Sequence, residues 1–227
     1  MWKKINNAST LVALVTIPIA LYFGFQYAPL FEEGFSAPYA QKIFYFHVSA
    51  AISGYVGFFI VLLSSIAFLK KRDPNIDRWA VSAAEVGVVL LSITILIGPL
   101  WAKAEWGVFW RLHDPKLMSA LVLWLVYIGY VVLRRNIGGE REARLAAVYA
   151  ILGFTTVPIS FVAQRIWRSL HPTVIVSKSG GMGPKVATAF GFSVIAFLSL
   201  FAALLIWRKR IEDSKFEIKM IKEDLEV

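Results

Sequence analysis

Three histidines provide most of the metal chemistry open to this 227-residue chain, because the chain contains no cysteine. Thiolate ligation and disulfide pairing are therefore excluded, and imidazole is the strongest metal donor left. The histidines are His47, His113 and His171. A solvated or hydrogen-bonded ring is the ordinary alternative for each of them, so their surroundings must decide between the two interpretations.

Aromatic residues gather near one of these histidines, in the segment from Trp101 to Asp114. Such rings often line a membrane interface, which is one interpretation of the segment. A second interpretation starts from Trp106 and Trp110, which are four residues apart and would share a face if the segment were a helix along the membrane surface. Gly107 would then let a flat ligand approach the backbone. The segment could therefore form a platform for a planar ligand.

The charged residues beside this platform favour a planar apolar ligand that bears carboxylates. Lys103, Arg111 and Lys116 flank the tryptophans. Haem is a ligand of this kind, and its iron accepts imidazole as an axial ligand. His47 and His171 would lie above and below such a ligand if the segments that carry them converge.

These groups must be positioned by helices in a membrane, because the chain is too apolar for a soluble domain. Hydrophobic residues make up 58% of it and charged residues 17%, with a mean hydropathy of +0.63. The net charge of +9 could suggest nucleic acid. In so apolar a chain, basic residues are better explained as topology signals and contacts to lipid headgroups, so we expect no nucleic acid partner.

Six stretches are long and apolar enough to cross a bilayer, which needs about 20 residues each. The sequence therefore predicts an all-α polytopic membrane protein, a bundle of six transmembrane helices. The first stretch is expected to be a retained helix and not a cleaved signal peptide. The predicted spans are Thr10–Leu30, Phe44–Leu69, Trp79–Leu100, Leu117–Leu133, Leu145–Ile166 and Val186–Trp207.

Positive charge orients these spans. The connections at one face, with both termini, hold 16 of the 24 Lys and Arg residues, which predicts that this face and both termini are cytoplasmic. His47, His113 and His171 then all fall at the opposite face. The possible metal ligands are thus expected on one side of the membrane, facing the periplasm or the cell exterior.

Several segments resemble the haem exporter protein C (CcmC) family of cytochrome c biogenesis, whose members carry a tryptophan-rich motif. The resemblance extends from about residue 10 to residue 207, in the order of the family and with six spans. The matching segments are Lys42–Val48 (KIFYFHV), Asp77–Gly87 (DRWAVSAAEVG), Gly98–Gly107 (GPLWAKAEWG) and Val157–Pro172.

The resemblance implies a haem-binding and transfer protein, not an enzyme. His47 and His171 fall on the two external histidines that ligate the iron of haem b, carried as transient cargo. Trp106, Gly107, Trp110 and Asp114 fall on the motif that holds the porphyrin, and Trp101 precedes it. The implied partners are a CcmE-like haem chaperone, CcmA-like and CcmB-like ABC-type subunits and a small CcmD-like membrane subunit. The implied location is the cytoplasmic (inner) membrane.

The motif departs from the family pattern around His113. The family has a second tryptophan close before its aspartate, whereas here the chain reads Trp110-Arg-Leu-His113-Asp114. His113 could contact a propionate, replace the missing ring or be solvated, and we favour solvation. Ser49 also stands where the family has a proline after the first histidine and valine.

Basic residues near His171 contradict the usual charge bias of an outer face. Arg165, Arg168 and Lys178 could neutralise haem propionates, and lipid phosphates are an equal alternative. We include Arg168 among the candidate haem contacts.

Two further features concern the rest of the bundle. Glu85 lies inside span three, where a carboxylate must face the bundle interior and pair with a donor or stay protonated. A hydrogen bond that joins helices is the favoured explanation. After Trp207 the chain becomes polar, so residues 1–207 form the membrane domain and residues 208–227 a cytosolic amphipathic tail, with Ile211, Ile218, Ile221 and Leu225 at near-heptad spacing.

Two other functions stay open at this point. A membrane b-type cytochrome would carry electrons with its haem, although it usually needs histidines in the middle of its helices. A haem lyase would attach haem to apocytochrome c, although the larger relatives that do so have more spans. Delivery of haem to a chaperone at the outer face is the function that we expect.

Overall fold

The computed structural model describes residues 2–30, 35–136, 139–172 and 182–225. Helices dominate these ranges. A π-helical turn at Phe23–Tyr27 follows the first helix, and a 3-10 turn at Pro38–Lys42 precedes the second. The α-helices are α1 Trp2–Tyr22, α2 Ile43–Lys71, α3 Pro74–Trp106, α4 Pro115–Asn136, α5 Glu140–Gly153, α6 Thr156–Ile166 and α7 Pro184–Leu225.

Six helical segments of the described chain are long and apolar enough to cross a membrane, which confirms the predicted spans. The fifth span, Glu140–Ile166, consists of α5 and α6 in succession. They are separated by a turn at residues 154–155, shortly before Pro158. Proline has no backbone N–H to donate and favours the first turn of a helix. The break therefore places Pro158 near the beginning of α6.

α3 and α7 continue well beyond the ends of their predicted spans. α3 continues from Leu100 to Trp106, so the first tryptophans of the aromatic segment belong to a helix. α7 has 42 residues, about 63 Å at 1.5 Å per residue, which is twice the hydrocarbon thickness of about 30 Å. It runs without interruption from the sixth span into the segment predicted as a tail.

Small buried residues let the helices approach closely at the centre of the bundle. Ala80, Ala83 and Ala84 of α3 lie in one core cluster with Phe58 of α2. Phe58 stacks on Tyr127 of α4 with ring centroids 3.6 Å apart. This core joins α2, α3 and α4 and fixes the positions of their ends.

The spans alternate in direction, so the bundle has two different ends. We call the end where α2 and α4 begin and α3 and α6 finish the histidine end, because it carries His47, His113 and His171. We call the other the arginine end, because Arg78, Arg134, Arg135 and Arg208 lie there. Thr16 of α1 hydrogen-bonds Ser199 of α7 at 2.8 Å, and Phe23 stacks on Phe192 at 4.2 Å, so α1 and α7 are antiparallel.

Glu85 faces the bundle interior at the arginine end. Its side chain is 13% exposed and pairs with Arg208 of α7. Arg135 of α4 lies 3.5 Å from the other carboxylate oxygen. The carboxylate therefore joins α3 to α4 and α7, which agrees with its favoured explanation as a group that connects helices.

Candidate functional site

A cavity opens among the helices at the histidine end. It spans about 1450 Å³ of space, part of it open to solvent. His47 and His171 both line it. The rest of its wall is mostly apolar, with eight Phe, Tyr and Trp residues: Phe35, Phe44, Tyr55, Trp101, Trp106, Phe109, Trp110 and Phe161.

His47 is positioned by α2, in the second turn of the helix. Its carbonyl accepts a hydrogen bond of 3.2 Å from the hydroxyl of Thr94 on α3. A Cβ atom at Gly98 of α3 would lie 2.9 Å from Cε1 of the imidazole, so only glycine leaves room for the ring there. Within the described residues, Nδ1 of His47 is buried and has no hydrogen-bond partner. One nitrogen of the ring therefore has a bonding capacity that no described residue uses.

His171 is positioned by an extended segment that follows α6. Its Nδ1 lies 3.1 Å from the carbonyl oxygen of Pro172. A carbonyl can only accept, so Nδ1 carries the proton and Nε2 keeps its lone pair. Burial and the nearby Lys116 ammonium lower the pKa of His171 to about 4. The ring is therefore neutral at pH 7, in the form that binds a metal.

The two cavity histidines face each other across a short gap. Their ring centroids are 6.3 Å apart and their planes differ by 32°. Imidazole nitrogen binds metals at about 2 Å. Two nitrogen–metal bonds and the distance from each nitrogen to the centre of its ring together come close to the observed 6.3 Å between the ring centroids. This separation would allow both imidazoles to reach one metal ion.

Other protein ligands for that ion are missing from the described part of the chain, which has no group of three or more His, Asp, Glu or Cys side chains that could hold a metal. A tetrahedral site with four protein ligands is therefore not formed by these residues. Two imidazoles do suffice for a metal whose equatorial positions are filled by a macrocycle.

Trp101 packs beside Trp106 and His171. Its indole N–H donates to the side-chain oxygen of Gln41 at 3.1 Å. Its ring lies edge-on to Trp106 at 5.0 Å and 6.5 Å from the ring of His171. Trp110 lines the same cavity. The structure therefore brings all three predicted tryptophans to one wall.

The arrangement of Trp106 and Trp110 differs from the surface helix considered above. α3 ends at Trp106, and Gly107 adopts a left-handed conformation with φ of 75°. That conformation turns the chain away from the helix axis and favours glycine. Trp106 and Trp110 therefore do not share a helix face. Gly107 is exposed and is not among the residues that line the cavity, so its described role is to end α3.

Asp114 also lies outside the cavity wall and serves two backbone functions. Its carboxylate accepts from the N–H groups of Lys116 at 2.9 Å and Leu117 at 3.2 Å, which caps α4. It also accepts from the Ser169 hydroxyl at 2.8 Å and the Leu170 N–H at 3.0 Å. Although burial alone would raise the pKa of Asp114, these hydrogen bonds hold it below its ordinary value.

The charged residues divide into two groups. Lys116 and Arg165 line the cavity, and the Lys116 ammonium donates to the carbonyl of Ser160 at 2.7 Å. Arg168 and His113 are exposed and do not belong to the cavity wall. The position of His113 agrees with its favoured interpretation as a solvated ring. Lys178 lies outside the described residues.

Sequence reasoning missed the polar residues that support the cavity from α3 and from the segment before α2. The Glu105 carboxylate accepts from the backbone N–H groups of Ser36 at 3.0 Å and Ala37 at 3.1 Å. The Gln41 amide also donates to Glu105, at 3.3 Å. The separation of 64 residues between Gln41 and Glu105 hid this contact, because no local pattern encodes it.

Comparison with known proteins identifies similar chains. A family model described as heme exporter protein C (CcmC) matches residues 1–222. A heme exporter protein C of Rhodobacter capsulatus is 29% identical over 214 residues, which are 92% of this chain and 87% of the relative. The corresponding protein of Bradyrhizobium diazoefficiens is 29% identical over 204 residues, covering 85% and 77%. That of Escherichia coli is 28% identical over 202 residues, covering 88% and 80%.

Proposed function

The chain belongs to the heme exporter protein C family of cytochrome c biogenesis, and on that premise we propose that it binds haem at its histidine end and passes it to a haem chaperone. The observation that carries the proposal is the pair of imidazoles 6.3 Å apart across an aromatic cavity. His47 and His171 would ligate the iron, and Trp101, Trp106 and Trp110 would contact the porphyrin.

The residues of the cavity fit haem b as cargo. Nε2 of His171 has a free lone pair, and Nδ1 of His47 is buried without a partner among the described residues. Lys116 and Arg165 would pair with the propionates, since both line the cavity. Arg168 would meet a propionate or lipid phosphate outside it. This chain would hold, shield and release haem and would carry out no bond-forming chemistry on it.

We place the histidine end at the periplasmic or external face of the cytoplasmic membrane. The support is the excess of Lys and Arg in the opposite connections, which favours a cytoplasmic arginine end and cytoplasmic termini. The acceptor would be a CcmE-like chaperone, whose own ligand displaces one imidazole. CcmA-like, CcmB-like and CcmD-like subunits would complete the assembly.

Spectroscopy of histidine variants tests this proposal. The purified protein would be loaded with haem, and absorption and electron paramagnetic resonance spectra recorded for wild type, His47→Ala, His171→Ala and His113→Ala. We expect a low-spin bis-imidazole spectrum for wild type and the exposed control His113→Ala, and its loss in the two cavity variants. An unchanged spectrum in both cavity variants, or a wild type that takes up no haem, would overturn the proposal.

Co-purification separates delivery from electron transfer. A haem-carrying chaperone captured with the wild type supports delivery, and we expect less capture with His171→Ala. A protein that keeps its haem through reduction and reoxidation, and yields none to a haem chaperone, would instead behave as a b-type cytochrome.

A further inference from the structure

The two cavity histidines are held in different ways. His47 lies within α2, where the backbone is fixed by the hydrogen bonds of a 29-residue helix. His171 lies after α6, whose last residue is Ile166, and Trp167 already has an extended conformation. The backbone around His171 therefore depends on contacts from outside its own helix.

Those contacts converge on the carboxylate of Asp114. It accepts from the Ser169 hydroxyl at 2.9 and 2.8 Å and from the Leu170 N–H at 3.0 Å. The Ser169 hydroxyl oxygen in turn accepts from the N–H of His171 at 3.0 Å. Each of the three residues 169–171 is thus bound to Asp114, either directly or through Ser169.

Asp114 can do this because it is fixed at the N-terminus of α4. The same carboxylate caps that helix through Lys116 and Leu117, and the residue is 6% exposed. Hydrogen bonds to an ionised acceptor are stronger than neutral ones. This set of hydrogen bonds, which we call the clamp, therefore fixes residues 169–171 to the beginning of α4.

We infer that Asp114 and Ser169 are positioning residues for His171, and that His171 is the imidazole released when haem is handed on. This inference rests on the proposed function. The backbone that carries His171 is held to α4 through one carboxylate, whereas the backbone of His47 is held by the hydrogen bonds of α2. Asp114 and Ser169 contact no cargo and act by setting how long His171 stays in place.

The test measures haem release into excess apomyoglobin, followed by absorbance, for wild type and Ser169→Ala. We expect Ser169→Ala to release haem at least ~5-fold faster, as the loss of a hydrogen bond implies, and Ser169→Thr to restore the slow rate. Asp114→Asn should also release haem faster, because its NH₂ group cannot accept from the Leu170 N–H, while its oxygen can still cap α4 and accept from Ser169.

The matched control is Ser119→Ala. Ser119 lies in the first turns of α4 and donates to the carbonyl of Lys116 at 3.1 Å, but it is not part of the clamp or of the cavity wall. We expect wild-type release. The ferric low-spin signal of Ser169→Ala should also show a weaker axial ligand, which a general loss of stability would not produce.

The possible outcomes separate the two proposals. If wild type shows bis-imidazole haem, and both Ser169→Ala and Asp114→Asn release it at the rate of Ser119→Ala, the clamp does not control His171 and this inference is wrong, while the proposed function stands. If wild type shows no bis-imidazole haem, both fail. Faster release in Asp114→Asn, with Ser169→Ala at the wild-type rate, would overturn the role of Ser169.

Discussion

The arginine end and the histidine end differ in the surroundings of their central polar groups, which are ion pairs at one end and an aromatic cavity at the other. At the arginine end, charged side chains of α3, α4 and α7 pair with one another: Arg134 with Asp77 and Arg208 with Glu85. At the histidine end, His47 keeps a buried Nδ1 without a partner among the described residues. Buried polar groups that satisfy each other stabilise a fold, whereas unused capacity beside a cavity is suited to a ligand.

The ion pairs of the arginine end also hold together the helices that form the histidine end. The described ion pairs join the same helices α3 and α4 whose opposite ends supply Trp101, Trp106 and Asp114 to the site. Arg78 and Lys209 both bind Asp213, at 2.6 and 2.5 Å, which fixes α7 to α3. We therefore expect changes at the arginine end to alter stability and changes at the histidine end to alter ligation.

The largest expected effect is the loss of the Glu85 carboxylate. Glu85→Ala removes one of the two carboxylates that pair with Arg208, whose side chain is 18% exposed and which keeps Glu212 at 2.6 Å. The loss of such a hydrogen bond between charged groups costs about 1.5–3 kcal/mol. Unfolding in detergent would measure it. Arg135→Ala is the matched control, because Arg135 contacts the same carboxylate but is 69% exposed, and it should cost less than about 1 kcal/mol. A changed haem spectrum in Glu85→Ala would show that the arginine end also affects haem ligation.

The next effect is a pH dependence that arises at the histidine end. The ordinary pKa of 6.5 falls to about 4 for folded His171. Below pH 6.5 the unfolded chain therefore binds a proton that the folded protein does not, and stability falls as the pH falls toward 4. The slope approaches about 1.4 kcal/mol per pH unit.

His171→Gln should lower this slope, because it removes the titrating group. Unfolding measured at pH 7, 6, 5 and 4.5 checks the difference. His113→Gln, at the exposed histidine, is the control and should keep the wild-type slope. Equal slopes in all three proteins would contradict the assignment.

A smaller effect is expected at Gly107. Substitutions there distinguish a role in backbone conformation from a direct contact with haem. A Cβ at Gly107 would meet no atom within 4 Å, so Gly107→Ala should lose only the cost of a left-handed residue, about 1–2 kcal/mol. Gly107→Asn should lose less, because asparagine tolerates this conformation. Haem affinity should stay near wild type in both variants, whereas a direct approach of porphyrin to this backbone would lower it.

The smallest effect is expected for an exposed ion pair beyond the buried network. Lys219 and Glu223 are 3.6 Å apart on α7, with side chains 65% and 55% exposed. Lys219→Ala should change the free energy of unfolding by less than about 0.5 kcal/mol. A loss comparable to that of Glu85→Ala would show that exposed and buried pairs at this end do not differ as argued.

The sequence predicted what depends on local composition. Hydropathy located the six spans, because each crosses the membrane as a continuous apolar run. The position of Glu85 in an apolar span predicted an interior partner, although not that the partner is Arg208, 123 residues later. The histidines and tryptophans that line the cavity were chosen by residue type and by resemblance.

The remaining features depend on contacts between distant residues. Asp114 was expected to hold porphyrin, but in the structure its carboxylate is occupied by backbone N–H groups and by Ser169, 55 residues away. Trp106 and Trp110 were considered on one helix face, and the left-handed Gly107 separates them. No periodic pattern encodes a turn between two tryptophans or a carboxylate shared by two segments.

The uninterrupted length of α7 makes this helix a stiff element of the molecule. Pro184 stands at its first residue, and Gly191 is the last glycine within it, so beyond that point the described helix has no residue that commonly forms a hinge. A stiff rod transmits a sideways push at one end as a rotation of the whole. A subunit that pulls on the polar half of α7 would therefore tilt the apolar half as far as Phe192, which stacks on Phe23 with ring centroids 4.2 Å apart.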